Sequence, residues 1–91
     1  MPKREFEEQV KRGIRLLDSR VPNWREKINK DYLNMSSCKN CIVGQVYEEY
    51  FYGIEILEID YRIDEDKDYG FFANWRDSEA LKSEWILQLS K

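Results

Sequence analysis

The chain has 91 residues, no histidine, two cysteines, 36% charged residues and a formal net charge of −3. That length builds one domain, because domains run to roughly 100–150 residues and two separate cores cannot be made from less. Three Trp, six Tyr and four Phe can fill a core without metal or disulfides, since each ring buries about 150–250 Å². No apolar run approaches the roughly 20 residues of a membrane span. Met1-Pro2-Lys3-Arg4-Glu5 leads into no hydrophobic signal core, and two cysteines are too few for a secreted disulfide scaffold. A protein of the reducing cytoplasm is expected.

In chain order, Arg4 to Ser19 reads as an amphipathic helix, with Phe6, Val10, Ile14 and Leu17 on one stripe. Glu7 with Lys11 and Glu8 with Arg12 form i,i+4 pairs in the better orientation. Gly13 costs about 1 kcal/mol against Ala there, so something is expected to pack closely on it. Val21-Pro22 stops the helix, because the residue before a proline is driven from helical angles. Pro22 then opens a short second helix with Trp24 and Ile28 one turn apart. Residues 29–37 are polar and irregular, with Leu33 and Met35 as anchors. Ser36 or Ser37 suits the N-cap of a third helix through Cys38, Cys41 and Val46, bent or broken, and continuing past Tyr47, Tyr50, Phe51 and Ile54 to about Leu57.

At Ile59 the period changes. Ile59-Asp60-Tyr61-Arg62-Ile63 alternates as a half-buried strand does, Asp64 to Asp68 reads as a charged turn, and Tyr69 to Ala73 pairs back. Asp77 or Ser78 caps a last helix whose buried stripe is Leu81, Trp85 and Leu89, with Ala80 and Ile86 beside it. Trp24 and Trp85 are expected in the core and Trp75 nearer the surface. The predicted fold is mostly α: a compact bundle of about four helices in one domain, residues 1–91. A small β-hairpin near residues 59–73 is the α+β alternative, and it would need the helices as a floor.

Three patterns invite chemistry. Cys38-Lys39-Asn40-Cys41 has the spacing of a metal or redox pair, but a structural zinc wants four Cys or His ligands and the chain lacks a third. Two small hydrophobes on one helix face is the simpler reading. The acidic segment around Asp64-Glu65-Asp66-Lys67-Asp68 lacks the glycine and distal glutamate of a calcium loop. It reads as a solvated turn or as a docking edge for a basic partner. Residues 1–45 carry ten Lys or Arg against six Asp or Glu, while residues 46–91 carry five against twelve. The basic half, from Lys3 and Arg4 through Arg12, Arg15, Arg20 and Lys30, could touch phosphates, yet the acidic total argues against nucleic acid. With no histidine base and no phosphate loop, no catalytic, cofactor or metal residue is assigned.

Leu16-Leu17-Asp18 running into Val21-Pro22-Asn23-Trp24, then Leu33 to Ser37 leading to Cys41-Ile42-Val43-Gly44-Gln45, then Tyr69-Gly70-Phe71 before Trp85, form a recognisable order. It resembles a group of small phage- and prophage-encoded proteins of unknown function with a CVLGQ-like segment, over about Gly13 to Trp85. The resemblance brings no activity to transfer. It implies a setting inside a bacterium, where small viral proteins act on host proteins. The stretches themselves suggest structural work: Trp24 plugging the core, Gly44 admitting a neighbouring element, and Gln45 satisfying backbone groups.

The expected function is therefore non-enzymatic protein binding, as a phage-encoded modulator of a host or defence protein. Its site is the acidic edge Asp60, Asp64, Glu65, Asp66 and Asp68, flanked by Tyr61 and Tyr69 as aromatic anchors. The partner is a host or phage protein with a basic surface, with no membrane involved and no oligomeric state implied. A nucleic-acid accessory role through the basic half is the alternative, and a small hydrolase or metal-dependent enzyme stands third.

Overall fold

A computed structural model describes residues 5–90. The Arg4 start expected for the first helix, with the basic Lys3 and Arg4, lies outside the described residues. Helix α1 spans Glu7–Arg20 and buries Val10, Gly13 and Leu17 on one face. Glu7 and Glu8 occupy its first turn, where negative charge offsets the positive end of the helix dipole. Val21 closes the helix by donating its N–H to the Leu17 carbonyl at 2.7 Å, just before Pro22. The chain then makes a 3₁₀ turn, Trp24–Lys27, that drops Trp24 into the core.

The next helix starts later than a Ser36 or Ser37 cap would place it. The Ser37 hydroxyl accepts from the Lys39 and Asn40 N–H groups, which folds residues 37–40 into a turn of their own. Cys41 becomes the N-cap, its sulfur accepting from the Gly44 N–H at 3.3 Å, and α2 runs Ile42–Tyr47. Gly44 is required here, because a β-carbon would overlap the Cys38 carbonyl oxygen lying across the helix. Gln45 reaches back to hold the irregular stretch. Its Oε1 accepts the Asn29 N–H at 2.6 Å, and its Nε2 donates to the Asn40 carbonyl at 2.8 Å. The expected break falls at Glu48, which takes a left-handed φ of 76°. Glu49 then caps α3, Tyr50–Ile56, by accepting the Tyr52 N–H at 2.8 Å.

The hairpin alternative over residues 59–73 does not form, and no strand occurs among the described residues. Ile59 is buried as expected, but Tyr61 and Ile63 face outward. The reason is local. The Asp60 carboxylate accepts the Arg62 N–H at 3.0 Å, coiling Tyr61–Ile63 into a 3₁₀ turn before any ladder can begin. Asp64 is left-handed at φ 59°, and Glu65–Asp68 closes a single helical turn, α4. Phe71 then donates its N–H to the Asp66 carbonyl, steering the chain inward. The last helix, α5, spans Ser78–Leu89 and buries Leu81 and Trp85.

Helix α1 packs on α5 and α4, while α2 packs on α3 and on the Trp24 turn. At the centre Trp24 meets Trp85, and Phe71 stacks on Trp85 at 6.1 Å between ring centroids. The Trp85 indole N–H donates to the Gly70 carbonyl at 2.6 Å. Gly13 lies against the same loop, and a β-carbon on it would overlap the Tyr69 carbonyl oxygen. The helical penalty of that glycine therefore secures close contact between α1 and the loop. The radius of gyration, 11.9 Å, matches the roughly 12 Å of a well-packed chain of this length.

Candidate functional site

Three consecutive aromatic residues open α3. Successive residues on a helix point about 100° apart, so Tyr50, Phe51 and Tyr52 cannot all reach the core. Tyr50 turns inward, whereas Phe51 and Tyr52 remain 52% and 57% exposed. Phe51 sits edge-on to Tyr50 at 5.2 Å and edge-on to Tyr61 at 5.6 Å. Tyr61, carried by the turn after Asp60, is 51% exposed. Tyr50 also meets Phe72 at 6.4 Å, extending the ring system onto the segment after Gly70.

The Phe51–Tyr61 pair is shared by two concavities. The larger, about 520 Å³, is floored by Ile54 and Ile59 and rimmed by Glu55, Glu58 and the paired Asp60 and Arg62. The smaller, about 280 Å³, lies toward Phe72, Asp64 and Asp66. Exposed aromatic rings between acidic rims form a surface suited to being covered by a cationic, partly apolar partner.

The predicted edge divides within this geometry. Tyr61, Asp64 and Asp68 are exposed. Asp60 is half-buried and held by Arg62, whose Nε donates to it at 3.1 Å; that guanidinium keeps the Asp60 carboxyl below its usual pKa range. Glu65 accepts the Asp60 N–H at 3.3 Å, which helps close the turn. Lys67 approaches Asp64 at 3.6 Å. Two expectations need correction. Asp66 does not project into solvent: it is 4% exposed, and its carboxylate accepts a hydrogen bond from the Tyr50 hydroxyl in the interior. Tyr69 is no free anchor, because its ring stacks on Phe71 at 6.0 Å against the core.

Phe51, Glu55, Glu58 and Phe72 were not expected at the face. One signal for Phe51 is present in the sequence, since a run of three aromatics in a helix must leave at least one outside. Glu55 follows Phe51 by one turn and so shares its side of α3. Glu58 lies beyond the end of α3 at a left-handed φ of 61°. No such local signal brings Phe72 or Tyr61 to these residues, because their meeting depends on how the 59–73 segment coils.

Elsewhere, Cys38 is exposed and Cys41 is buried. Burial pushes the Cys41 thiol up to about 11, against the opposing pull of the Gly44 N–H. Among the described residues no three His, Cys, Asp or Glu side chains come together to hold a metal. Arg12, Arg15 and Arg20 lie exposed along α1. Trp24 is wholly buried and offers no face for stacking a base, and Arg25 is engaged by Asp18 at 2.5 Å. No described helix is long and apolar enough to cross a membrane.

The chain matches no protein-family model, no curated protein and no solved structure.

Proposed function

We propose that this chain is a non-enzymatic protein-binding module that docks a basic surface of another protein through the Phe51–Tyr61 face. The observation that carries the reading is the exposed ring pair standing between two concavities with acidic rims. Rings left about half exposed beside two concavities give a partner apolar area to cover. The surrounding carboxylates would steer a basic partner and fix its orientation. The resemblance to small phage and prophage proteins supplies the setting, a phage-encoded modulator of a host or defence protein in the bacterial cytoplasm.

Site-directed crosslinking tests this reading. A photoreactive p-benzoylphenylalanine replaces Tyr61 in cells of a bacterial host, and crosslinked species are identified by mass spectrometry. The expected result is one defined protein, crosslinked through a basic surface and lost when Phe51→Ala is added. A crosslink that persists unchanged with Phe51→Ala, or the same yield from a photoreactive residue replacing Arg15 on α1, would refute the assignment of this face.

A further inference from the structure

The carboxylates around the aromatic face are not equivalent. Asp60 is occupied by Arg62, whose Nε and second nitrogen reach its two oxygens at 3.1 and 3.4 Å. Asp64 has Lys67, Glu49 caps α3, and Glu65 accepts the Asp60 N–H. Glu55 and Glu58 are different: both are exposed, and neither carboxylate has a hydrogen bond or ion pair among the described residues. They line the larger concavity together with the rings of Phe51 and Tyr61 and with Arg62, whose charge is already offset by Asp60, so the two glutamates are the excess charge there.

We infer that this concavity receives an arginine side chain of the partner, its guanidinium lying flat on one ring of the edge-on Phe51–Tyr61 pair and donating to Glu55 and Glu58. The inference rests on the docking reading above and names what occupies that face. A guanidinium presents a flat, weakly hydrated surface to an aromatic ring and several N–H donors at its edge. The face offers the complement of both, π surfaces at the centre and unengaged acceptors at the rim. A lysine ammonium is compact and strongly hydrated, so it would use the carboxylates but gain less from the rings. The chain already uses this combination once. Arg25 lies over Trp24 at 4.7 Å from the ring centroid while donating to Asp18 at 2.5 Å. The concavity, about 520 Å³, has room for an arginine side chain.

Two six-residue peptides serve as probes, identical except that one carries two arginines and the other two lysines among leucines. Each is titrated into the ¹⁵N-labelled full chain and followed by NMR, alongside Phe51→Ala and the Glu55→Gln/Glu58→Gln double variant. These residues are exposed, and circular dichroism checks that the variants keep the fold. The arginine peptide should shift resonances of Phe51, Glu55, Glu58 and Tyr61 and bind about tenfold tighter than the lysine peptide. Either variant should weaken the arginine peptide about tenfold and reduce that preference. Equal binding of the two peptides, shifts centred elsewhere, or no binding would overturn the inference. Concentration-dependent shifts at these residues without peptide would instead identify a second copy of the chain as occupant, and also overturn it. If the crosslink at position 61 stands while the arginine peptide fails, the docking face survives and only its occupant is wrong. Loss of the crosslink defeats the docking reading itself.

Discussion

Trp24 and Trp85 meet edge to face at the centre of the molecule, ring centroids 6.0 Å apart and planes at 85°. One comes from the turn after α1 and the other from α5, so their contact ties the first third of the chain to its last helix. Both are wholly buried, and both indole N–H groups are satisfied, by Asp18 at 2.8 Å and by the Gly70 carbonyl.

Truncation at either position therefore removes a large ring, a ring–ring contact and a hydrogen bond. Trp24→Ala and Trp85→Ala should each cost about 3–5 kcal/mol, a large share of the roughly 5–15 kcal/mol available to a small domain. Trp75 is 78% exposed with Arg76 over its ring, so Trp75→Ala should stay within about 0.5 kcal/mol. Urea unfolding followed by far-UV circular dichroism measures all three. Near-parental midpoints for the two buried variants would contradict this packing.

Tyr50 provides a pH prediction. Burial first, and then the Asp66 carboxylate that accepts its hydrogen bond, raise the hydroxyl's pKa well above the ordinary 10. A group whose folded pKa is raised contributes stability fully below its unfolded pKa and loses it above. The Tyr50–Asp66 contribution should thus be intact below about pH 10 and decay as the pH rises further. Tyr50→Phe should cost about 1.5–3 kcal/mol at neutral pH, the range for a hydrogen bond to a charged group. It should also remove one tyrosine from those that ionise only on unfolding, as read by ultraviolet difference absorbance. A full tyrosine complement titrating near pH 10 in the folded state would show that the hydroxyl is not shielded.

The two cysteines should behave as unlike thiols. Cys38 is exposed, whereas Cys41 is buried at the start of α2 and holds its proton up to about pH 11. A chromogenic disulfide reagent at pH 8 should therefore titrate one thiol rapidly in the native chain and two in denaturant, because only an accessible thiolate reacts. Cys38→Ser should abolish the rapid phase. Equal, fast reaction of both thiols would mean that the α2 N-cap is open.

Much of the helical framework was legible from periodicity. Val10, Ile14 and Leu17 in α1, and Leu81 and Trp85 in α5, recur at helical steps and lie buried or half-buried as those steps require. Gly13 and Gly44, unfavourable inside helices, marked places where another segment comes close. The segment from Ile59 misled because alternation was read as a strand, while Asp60 offered its own backbone a competing turn. The same competition sets which side chains of this segment are exposed. Asp64 and Asp68 are exposed, as expected of the polar tips of a turn, but Asp66 was assigned to that surface by charge alone. Its inward direction depends on Tyr50, sixteen residues earlier, and no local pattern encodes that meeting.

The Tyr50–Asp66 link has a consequence for the face as a ligand meets it. It joins α3 to α4 beneath the smaller concavity, and Tyr50 is also the ring on which Phe51 and Phe72 rest. The surface rings are thus held near one arrangement before any partner arrives. Ordering a mobile side chain at an interface costs about 0.5–1.5 kcal/mol, and a preorganised face avoids much of that loss. On the docking reading, one largely buried carboxylate thereby lowers the entropic cost of association at Phe51 and Phe72.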